Sequence, residues 1–409
     1  MEWTESWILR LVKNLLGYTT VAVPGALLVY YSKKSKYLDN TALSRRAAKN
    51  SCWARYVKLF VHGEEETRSS SEIPISKPKH TNLQKAFTIL FCFLGLQLSY
   101  LTWGLIQEKI MTQNYHNALG EQAKFTDSQF LVFVNRFLAF IFAGTYVSLS
   151  SQPKHVAPLY KYSYCSFSNI MSSWLQYEAL KYVSFPTQVL AKASKIIPVM
   201  VMGKIISKKG YKYHEYATAI AISIGSAIFL LSGKKSSDIA TTTTVSGLAI
   251  LVGYIVSDSF TSNWQSALFK QYHMSSMQMM CGVNFFSCIF TSISLLQQGG
   301  FFTSFLFFIK FSSFLWDCLL LSVCSTIGQL FIFYTISEFG AVIFVIIMTI
   351  RQIIAILLSC FIYHHPLTLS RIFGVLIVFT TVFLRIYLNH RTKKPAPSPA
   401  TVQESTTKA

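Results

Sequence analysis

The stretch VIIMTIRQII at residues 345–354 places one arginine, Arg351, in the middle of a long apolar run. A second run, AKASKIIPVM at residues 191–200, contains Lys192 and Lys195, which are three positions apart and share a helix face. A lysine or arginine at the centre of a bilayer costs roughly 2.5–3.5 kcal/mol. Because no equal number of carboxylates lies at similar depth, these cations predict a polyanion-binding cavity inside a membrane protein.

The composition also predicts a membrane protein. The chain has 409 residues, of which 52% are hydrophobic and only 13% are charged. Apolar windows of about 20 residues recur along most of its length, as in polytopic helical membrane proteins. These runs are continuous rather than alternating, which argues against a transmembrane β-barrel. Much of the formal charge of +20 falls in loops and tails, so it indicates membrane orientation and no nucleic-acid partner.

Eleven apolar segments predict eleven transmembrane helices. The first, within residues 1–31, is an extra N-terminal helix, and residues 32–82 are predicted to form a basic and flexible cytosolic linker. The positive-inside rule then places both ends of the core and the tail at 391–409 in the cytosol. The ten core helices are predicted at 83–107, 128–150, 159–181, 184–206, 213–233, 243–268, 275–297, 315–337, 340–363 and 368–389.

Ten core helices divide into two halves of five, at residues 83–233 and 234–390. An odd number of helices in each half makes the second half insert upside down relative to the first, which produces an inverted repeat. Lys192 and Lys195 then belong to the fourth helix of the first half, and Arg351 belongs to the fourth helix of the second half. The predicted fold is therefore an all-α polytopic membrane protein with two inverted five-helix repeats and one extra N-terminal helix.

Polar residues within the predicted spans complete the candidate site. Asp258 and Glu178 are intramembrane acids that could pair with a cation in the empty state, and for Asp258 substrate contact stays equally open. Glu108 lies at a helix end, where a charge costs less. Amide side chains can pair with an adenine edge and tyrosine can stack on it, although such residues more often hold helices together. The candidate substrate-binding residues are Lys192, Lys195, Arg351, Tyr177, Asn169, Gln329, Glu108 and Asp258.

The sequence contains no catalytic constellation and no cofactor motif. It has no P-loop, no nucleophile elbow and no paired-carboxylate motif, and its eight cysteines include no CxxC and no Cys/His cluster with metal spacing. We therefore expect no enzyme activity, no cofactor and no metal. A membrane-embedded transferase would need such a constellation, whereas a non-transporting membrane adaptor would not need paired cations near the midplane.

Several long motifs resemble the nucleotide-sugar transporter family of the drug/metabolite transporter superfamily. The stretch LAKASKIIPVM at 190–200 is similar to the fourth-helix motif of that family, and in particular of its Golgi branch for 3′-phosphoadenosine 5′-phosphosulfate (PAPS). The N-terminal helix, with VPG at 23–25, adds to the likeness. The supporting stretches are FTDSQFL at 125–131, QYEALK at 176–181, DSFTSNWQ at 258–265, GQLFIFYTI at 328–336 and IMTIRQ at 347–352.

The resemblance implies an antiporter that moves PAPS from the cytosol into the Golgi lumen in exchange for an adenine nucleotide, and so supplies lumenal sulfotransferases. It also implies that Lys192, Lys195 and Arg351 contact the substrate phosphates. A related branch carries a basic pair where this chain has Arg351 and Gln352. A nucleotide-sugar or ATP/ADP exchanger on the same scaffold stays open as the alternative. The implied partners are PAPS, the adenine counter-substrate and the lipid bilayer, and a homodimer stays open.

Overall fold

The computed structural model describes residues 7–34, 52–63, 82–116, 121–125, 127–153, 155–179, 182–183, 188, 191–192, 194–231, 245–272, 274–362 and 369–392. Two helices precede the core, α1 (Trp7–Lys34) and α2 (Cys52–Val61). The first half of the core contains α3 (Asn82–Thr112), β1 (Asn114–His116), β2 (Gln122–Lys124), α4 (Ser128–Leu149), α5 (Tyr160–Ala179), α6 (Ile196–Ser207) and α7 (Tyr213–Leu231). The second half contains α8 (Val245–Tyr272), α9 (Ser276–Gln297), α10 (Gly300–Lys310), α11 (Ser312–Phe339), α12 (Ala341–Ile362) and α13 (Leu369–Thr392).

Many of the described helices are long and apolar enough for a membrane. The segments of sufficient length and hydropathy to cross a bilayer are Leu15–Lys34, Leu83–Gln107, Gln129–Leu149, Ser276–Gln297 and Ser312–Phe339. Shorter apolar helices are Ile196–Ser207, Gly300–Lys310, Ala341–Ile354 and Ile372–Arg385. Among the described core helices, α5, α7 and α8 fall outside both groups, and α5 and α8 carry polar residues that line an internal cavity, such as Asn169 and Asp258. The prediction of an all-α polytopic membrane protein is confirmed.

Each core helix of the first half packs on a helix of the second half. The short helix α10 lies outside the ten-helix core, which makes α11 the third core helix of the second half. Helix α3, the first of the first half, packs on α11, and α5 packs on α8 in the reciprocal manner. The second, fourth and fifth helices pack on their own counterparts, as α4 on α9, α6 on α12 and α7 on α13. Two bundles related by a twofold axis produce such pairing. It supports the division at 83–233 and 234–390, which stays a prediction.

Helices α7 and α13 cross closely at two glycines. A Cβ atom on Gly374 would lie 2.6 Å from the backbone nitrogen of Phe229 and 2.7 Å from the carbonyl oxygen of Gly225. Backbones can approach this closely only where a side chain is absent, as at the small-residue contacts between other membrane helices. The last helix of each half is therefore held directly against its counterpart.

The fourth core helix differs from the continuous span predicted at 184–206. Residues 194–195 form a turn, and the regular helix α6 begins only at Ile196. The physical reason is Pro198, which has no N–H to donate and whose ring would clash with the carbonyl one turn earlier in a continuous helix. In the first turn of α6 the proline is tolerated. Among the described residues of the predicted span, 191–192 are helical, 194–195 form a turn, and α6 follows with Lys195 at its N-terminus.

The N-terminal segment contains a helix that was not predicted. The sequence indicated a linker over residues 32–82, yet α2 forms within it, and its Val57 and Val61 are buried against Val29 of α1. Tyr18 of α1 is in turn buried against aromatic side chains of α5 and α9. Both N-terminal helices therefore pack within the fold, and α1 is fixed to the core.

A hairpin and a short helix cap one end of the bundle, and neither was predicted. The hydroxyl of Tyr115 in β1 donates to Asp317 Oδ2 of α11 at 2.9 Å, and Lys109 Nζ lies 2.9 Å from the other oxygen of that carboxylate. Burial and the hydrogen bond to Asp317 raise the pKa of Tyr115 above its ordinary value. Lys310, at the end of α10, forms an ion pair with Glu121 beside the hairpin. These contacts fasten the hairpin to α10 and α11.

Candidate functional site

A cavity of about 350 Å³ lies where helices of the two halves meet. Small-molecule sites commonly have volumes of about 300–1,000 Å³. The wall is formed by α3, α4, α5, α8, α11, α12 and the segment that leads into α6. The predicted residues that line it are Lys192, Lys195, Arg351, Asn169, Gln329 and Asp258. The side chains of the other two candidates, Tyr177 and Glu108, lie outside the described residues.

Lys195 and Asp258 form an ion pair in the cavity wall. Lys195 Nζ lies 2.5 Å from Asp258 Oδ2, and the two side chains are 13% and 30% exposed. The pair joins the start of α6 to the middle of α8. A hydrogen bond from Asn263 Nδ2 to the carbonyl of Val199, at 2.8 Å, joins the same two helices. Asp258 therefore makes the ion-pair contact that the sequence had left open.

Lys192 and Arg351 line the same cavity but, unlike Lys195, form no ion pair with any of the described residues. Among the described residues, no carboxylate lies within 4 Å of either cation. The Arg351 guanidinium carbon lies 5.4 Å from the ring centre of Tyr100, and the Arg351 Nε–H donates to none of the described residues. A guanidinium positioned by an aromatic ring presents its planar donors together. Such an arrangement suits a phosphate or sulfate that enters the cavity.

Arg136 of α4 is a fourth cation in the cavity wall, and the sequence analysis missed it. Its Nη1 donates to Gln329 Oε1 at 3.2 Å and to Asn284 Oδ1 at 3.5 Å. Asn284 Nδ2 also donates to the Gln329 oxygen, at 2.9 Å. The signal was present in the sequence, because Arg136 interrupts the apolar run FLVFVNRFLAFIF at 130–142 in the same way that Arg351 interrupts its own run.

The cavity wall combines cationic side chains with aromatic and apolar ones. Four cations and one carboxylate line it among the described residues, which gives a formal charge of +3. Trp103, Phe333, Phe344 and Met348 supply aromatic and apolar surface in the same cavity. Since aromatic and sulfur-containing side chains pack well against flat rings, this surface suits a planar group. The arrangement fits a ligand with an anionic part and a planar part.

Substitution of Arg136 by methionine should weaken binding of a phosphate-bearing ligand about tenfold or more, because a hydrogen bond to a charged group contributes about 1.5–3 kcal/mol. The probe is the adenine nucleotide that the family resemblance implies, radiolabelled, and its binding to the purified protein measures this change. Arg385→Met is the control, since Arg385 is a buried arginine whose Nη2 lies 3.8 Å from Glu215 Oε1, away from the cavity. Equal loss of affinity in both variants would show that the effect comes from general destabilisation.

Comparison with known proteins gives a consistent set of relatives. The profile of the UAA transporter family matches residues 88–389. A Drosophila melanogaster protein named adenosine 3′-phospho 5′-phosphosulfate transporter 1 is 53% identical over 392 residues, which is 94% of this chain and 84% of that protein. The Homo sapiens protein of the same name is 51% identical, with 98% and 93% covered. UDP-galactose/UDP-glucose transporter 5 of Arabidopsis thaliana is 37% identical, with 78% and 92% covered.

Proposed function

Because the chain belongs to the UAA transporter family, we propose that it carries PAPS from the cytosol into the Golgi lumen in exchange for an adenine nucleotide. The chain is a multi-pass membrane transport protein and not an enzyme. The single observation that carries the proposal is the cavity between the two halves, where four cations face one carboxylate among the described residues. The names of the two relatives at 53% and 51% identity support PAPS as the substrate.

The chemistry of the cavity suits the parts of PAPS. Its 3′-phosphate carries about 1.5 to 2 negative charges near pH 7, and the phosphosulfate adds further negative charge. Arg136, Lys192, Lys195 and Arg351 would replace the water and counter-ions around these groups, with the planar arginine able to hold two oxygens at once. The aromatic surface that includes Trp103 would take the adenine ring.

The same charges favour exchange over one-way transport. Among the described residues, the protein itself places no carboxylate within 4 Å of Lys192 or Arg351. Turning the binding cavity back to the cytosolic side with these charges unneutralised is costly, whereas turning it back with an adenine nucleotide bound is not. In the proposed orientation both ends of the ten-helix core are cytosolic, as the basic loops indicate.

The test is uptake of radiolabelled PAPS into liposomes that contain the purified protein. Uptake is measured with adenosine 3′,5′-bisphosphate or AMP inside the vesicles, and with empty vesicles. We expect uptake that needs the internal adenine nucleotide and that excess UDP-galactose outside does not reduce. Protein-free liposomes give the background.

A UDP-sugar carrier is the second candidate, favoured by the Arabidopsis relative at 37% identity. In the same liposomes, it would take up labelled UDP-galactose or UDP-glucose and leave PAPS outside. That result would retain the family and the cationic cavity and would contradict PAPS as the substrate. Exchange of labelled ATP for ADP, again without PAPS uptake, would point to an ATP/ADP exchanger instead.

A further inference from the structure

We propose that Asp258 is a built-in counter-ion that holds Lys195 in the empty carrier and that the incoming nucleotide must displace. In this role, Asp258 sets how tightly the nucleotide binds and how strictly transport depends on exchange. The inference rests on the proposed function, because it assumes that the cavity takes an anionic nucleotide. It gives a role to Asp258, an acidic residue that lies among cations and cannot itself attract an anionic ligand.

The geometry places Asp258 in competition with the ligand. Its Oδ2 lies 2.5 Å from Lys195 Nζ, and both side chains line the cavity. Among the described residues, Asp258 is the one carboxylate of the cavity wall. Lys192 and Arg351 line the same cavity. A phosphate that approaches these cations therefore also approaches the Asp258 carboxylate.

A bound phosphate and Asp258 cannot share Lys195 at low cost. Two anions that are a few ångströms apart repel one another, and the repulsion is stronger in a partly dehydrated cavity than in water. The ammonium group of a lysine lies on a flexible four-carbon stem with three donors, so it can turn from one acceptor to another. Nucleotide binding would thus break the Lys195–Asp258 pair and direct Lys195 toward the phosphate.

The pair also affects the return of the empty carrier. With Asp258 ionised, one of the four cations in the cavity is neutralised while no substrate is bound. This lowers the cost of moving the empty cavity between the two sides of the membrane. Removal of the Asp258 charge should therefore make empty return slower and exchange more strictly required.

The experiment compares the wild-type protein with Asp258→Asn. Thermal unfolding of the purified full-length protein is recorded with and without adenosine 3′,5′-bisphosphate, and binding of the labelled nucleotide gives Kd. We expect Asp258→Asn to melt earlier without ligand, to gain a larger stabilisation from the nucleotide, and to bind it about tenfold more tightly. In liposomes, the ratio of PAPS uptake into loaded vesicles to uptake into empty vesicles should rise.

Two further variants separate competition from structural support. Asp317→Asn is the matched control, because Asp317 pairs with Lys109 at 2.9 Å outside the cavity, and we expect its loss to leave Kd unchanged. Asp258→Glu keeps the carboxylate on a longer side chain, so its Kd and its uptake ratio should lie between those of the wild-type protein and those of Asp258→Asn. Should Asp258→Asn fail to fold, Asp258→Ser removes the same charge and is measured in the same way.

Two results would overturn the inference while the proposed function stands. Weaker nucleotide binding by Asp258→Asn, with normal binding by the wild-type protein, would show that Asp258 contacts the ligand directly. An unchanged Kd and uptake ratio, with only a lower melting temperature, would show that the pair is purely structural. Absence of both nucleotide binding and PAPS uptake in the wild-type protein would overturn the proposed function together with the inference.

Discussion

Replacement of Lys195 by alanine is expected to reduce PAPS uptake by roughly 100-fold or more. The change removes a cation that could contact a phosphate, a contact that contributes about 1.5–3 kcal/mol. In the wild-type protein, Asp258 Oδ2 lies 2.5 Å from Lys195 Nζ. The alanine variant removes this partner, so the unpaired Asp258 carboxylate would repel the incoming anion. Both effects act in the same direction, and each 1.36 kcal/mol corresponds to a factor of ten in rate. Initial uptake rates into liposomes, normalised to folded protein, measure the loss.

Lys192→Ala provides the matched control three residues earlier in the chain. Lys192 lines the same cavity, but no carboxylate lies within 4 Å of it among the described residues. Its removal deletes one cation and exposes no new anion, so the expected loss is smaller, about tenfold. Asp258→Asn should restore more of the activity of Lys195→Ala, where its carboxylate has lost its partner, than of the activity of Lys192→Ala. Equal losses in the two alanine variants would contradict this account of the pair.

Replacement of Arg351 by lysine is expected to lower PAPS uptake about 10- to 30-fold, although the positive charge is kept. Lysine cannot reproduce the planar fork that binds two oxygens, and it loses the cation–π contact of the guanidinium, whose carbon lies 5.4 Å from the ring centre of Tyr100. Arg351→Gln also removes the charge, so its loss should be larger. Uptake rates and the apparent KM for PAPS measure both changes.

Two control variants make the Arg351 result specific. Lys310→Gln removes an exposed cation that pairs with Glu121 outside the cavity, and it should leave uptake unchanged. Tyr100→Phe keeps the ring that Arg351 contacts and should stay close to the wild-type rate. A normal KM for PAPS in Arg351→Lys would contradict planar recognition of the phosphate by this residue.

The sequence predicted the helical membrane fold because long apolar runs have few other solutions in a bilayer. It did not predict the break before α6, although Pro198 is the residue that explains it. The β1–β2 hairpin and α2 were missed for another reason. Strands of three residues have no usable periodicity. Helix α2 lies in a segment rich in charge, and its Val57 and Val61 are buried by a contact with Val29 of α1, which the local sequence does not reveal.

The candidate site could be predicted in part, and the missed portion has a definite cause. Cations within apolar runs singled out Lys192, Lys195 and Arg351, and the structure brings them to one cavity. Arg136 has the same signal and was overlooked. The contacts of Asp258 with Lys195 could not be derived from spacing, because the two residues are 63 positions apart and meet only through the packing of α6 on α8.

The break before α6 has an electrostatic consequence of its own. Aligned peptide dipoles give the N-terminus of a helix about half of a positive charge. In α6 that end is formed by Lys195, and no side chain caps it. A lysine is disfavoured at this end of a helix and an anion is favoured, each by about 0.3–1 kcal/mol. The backbone of α6 would therefore continue to attract anions toward the cavity even if every basic side chain there were neutralised.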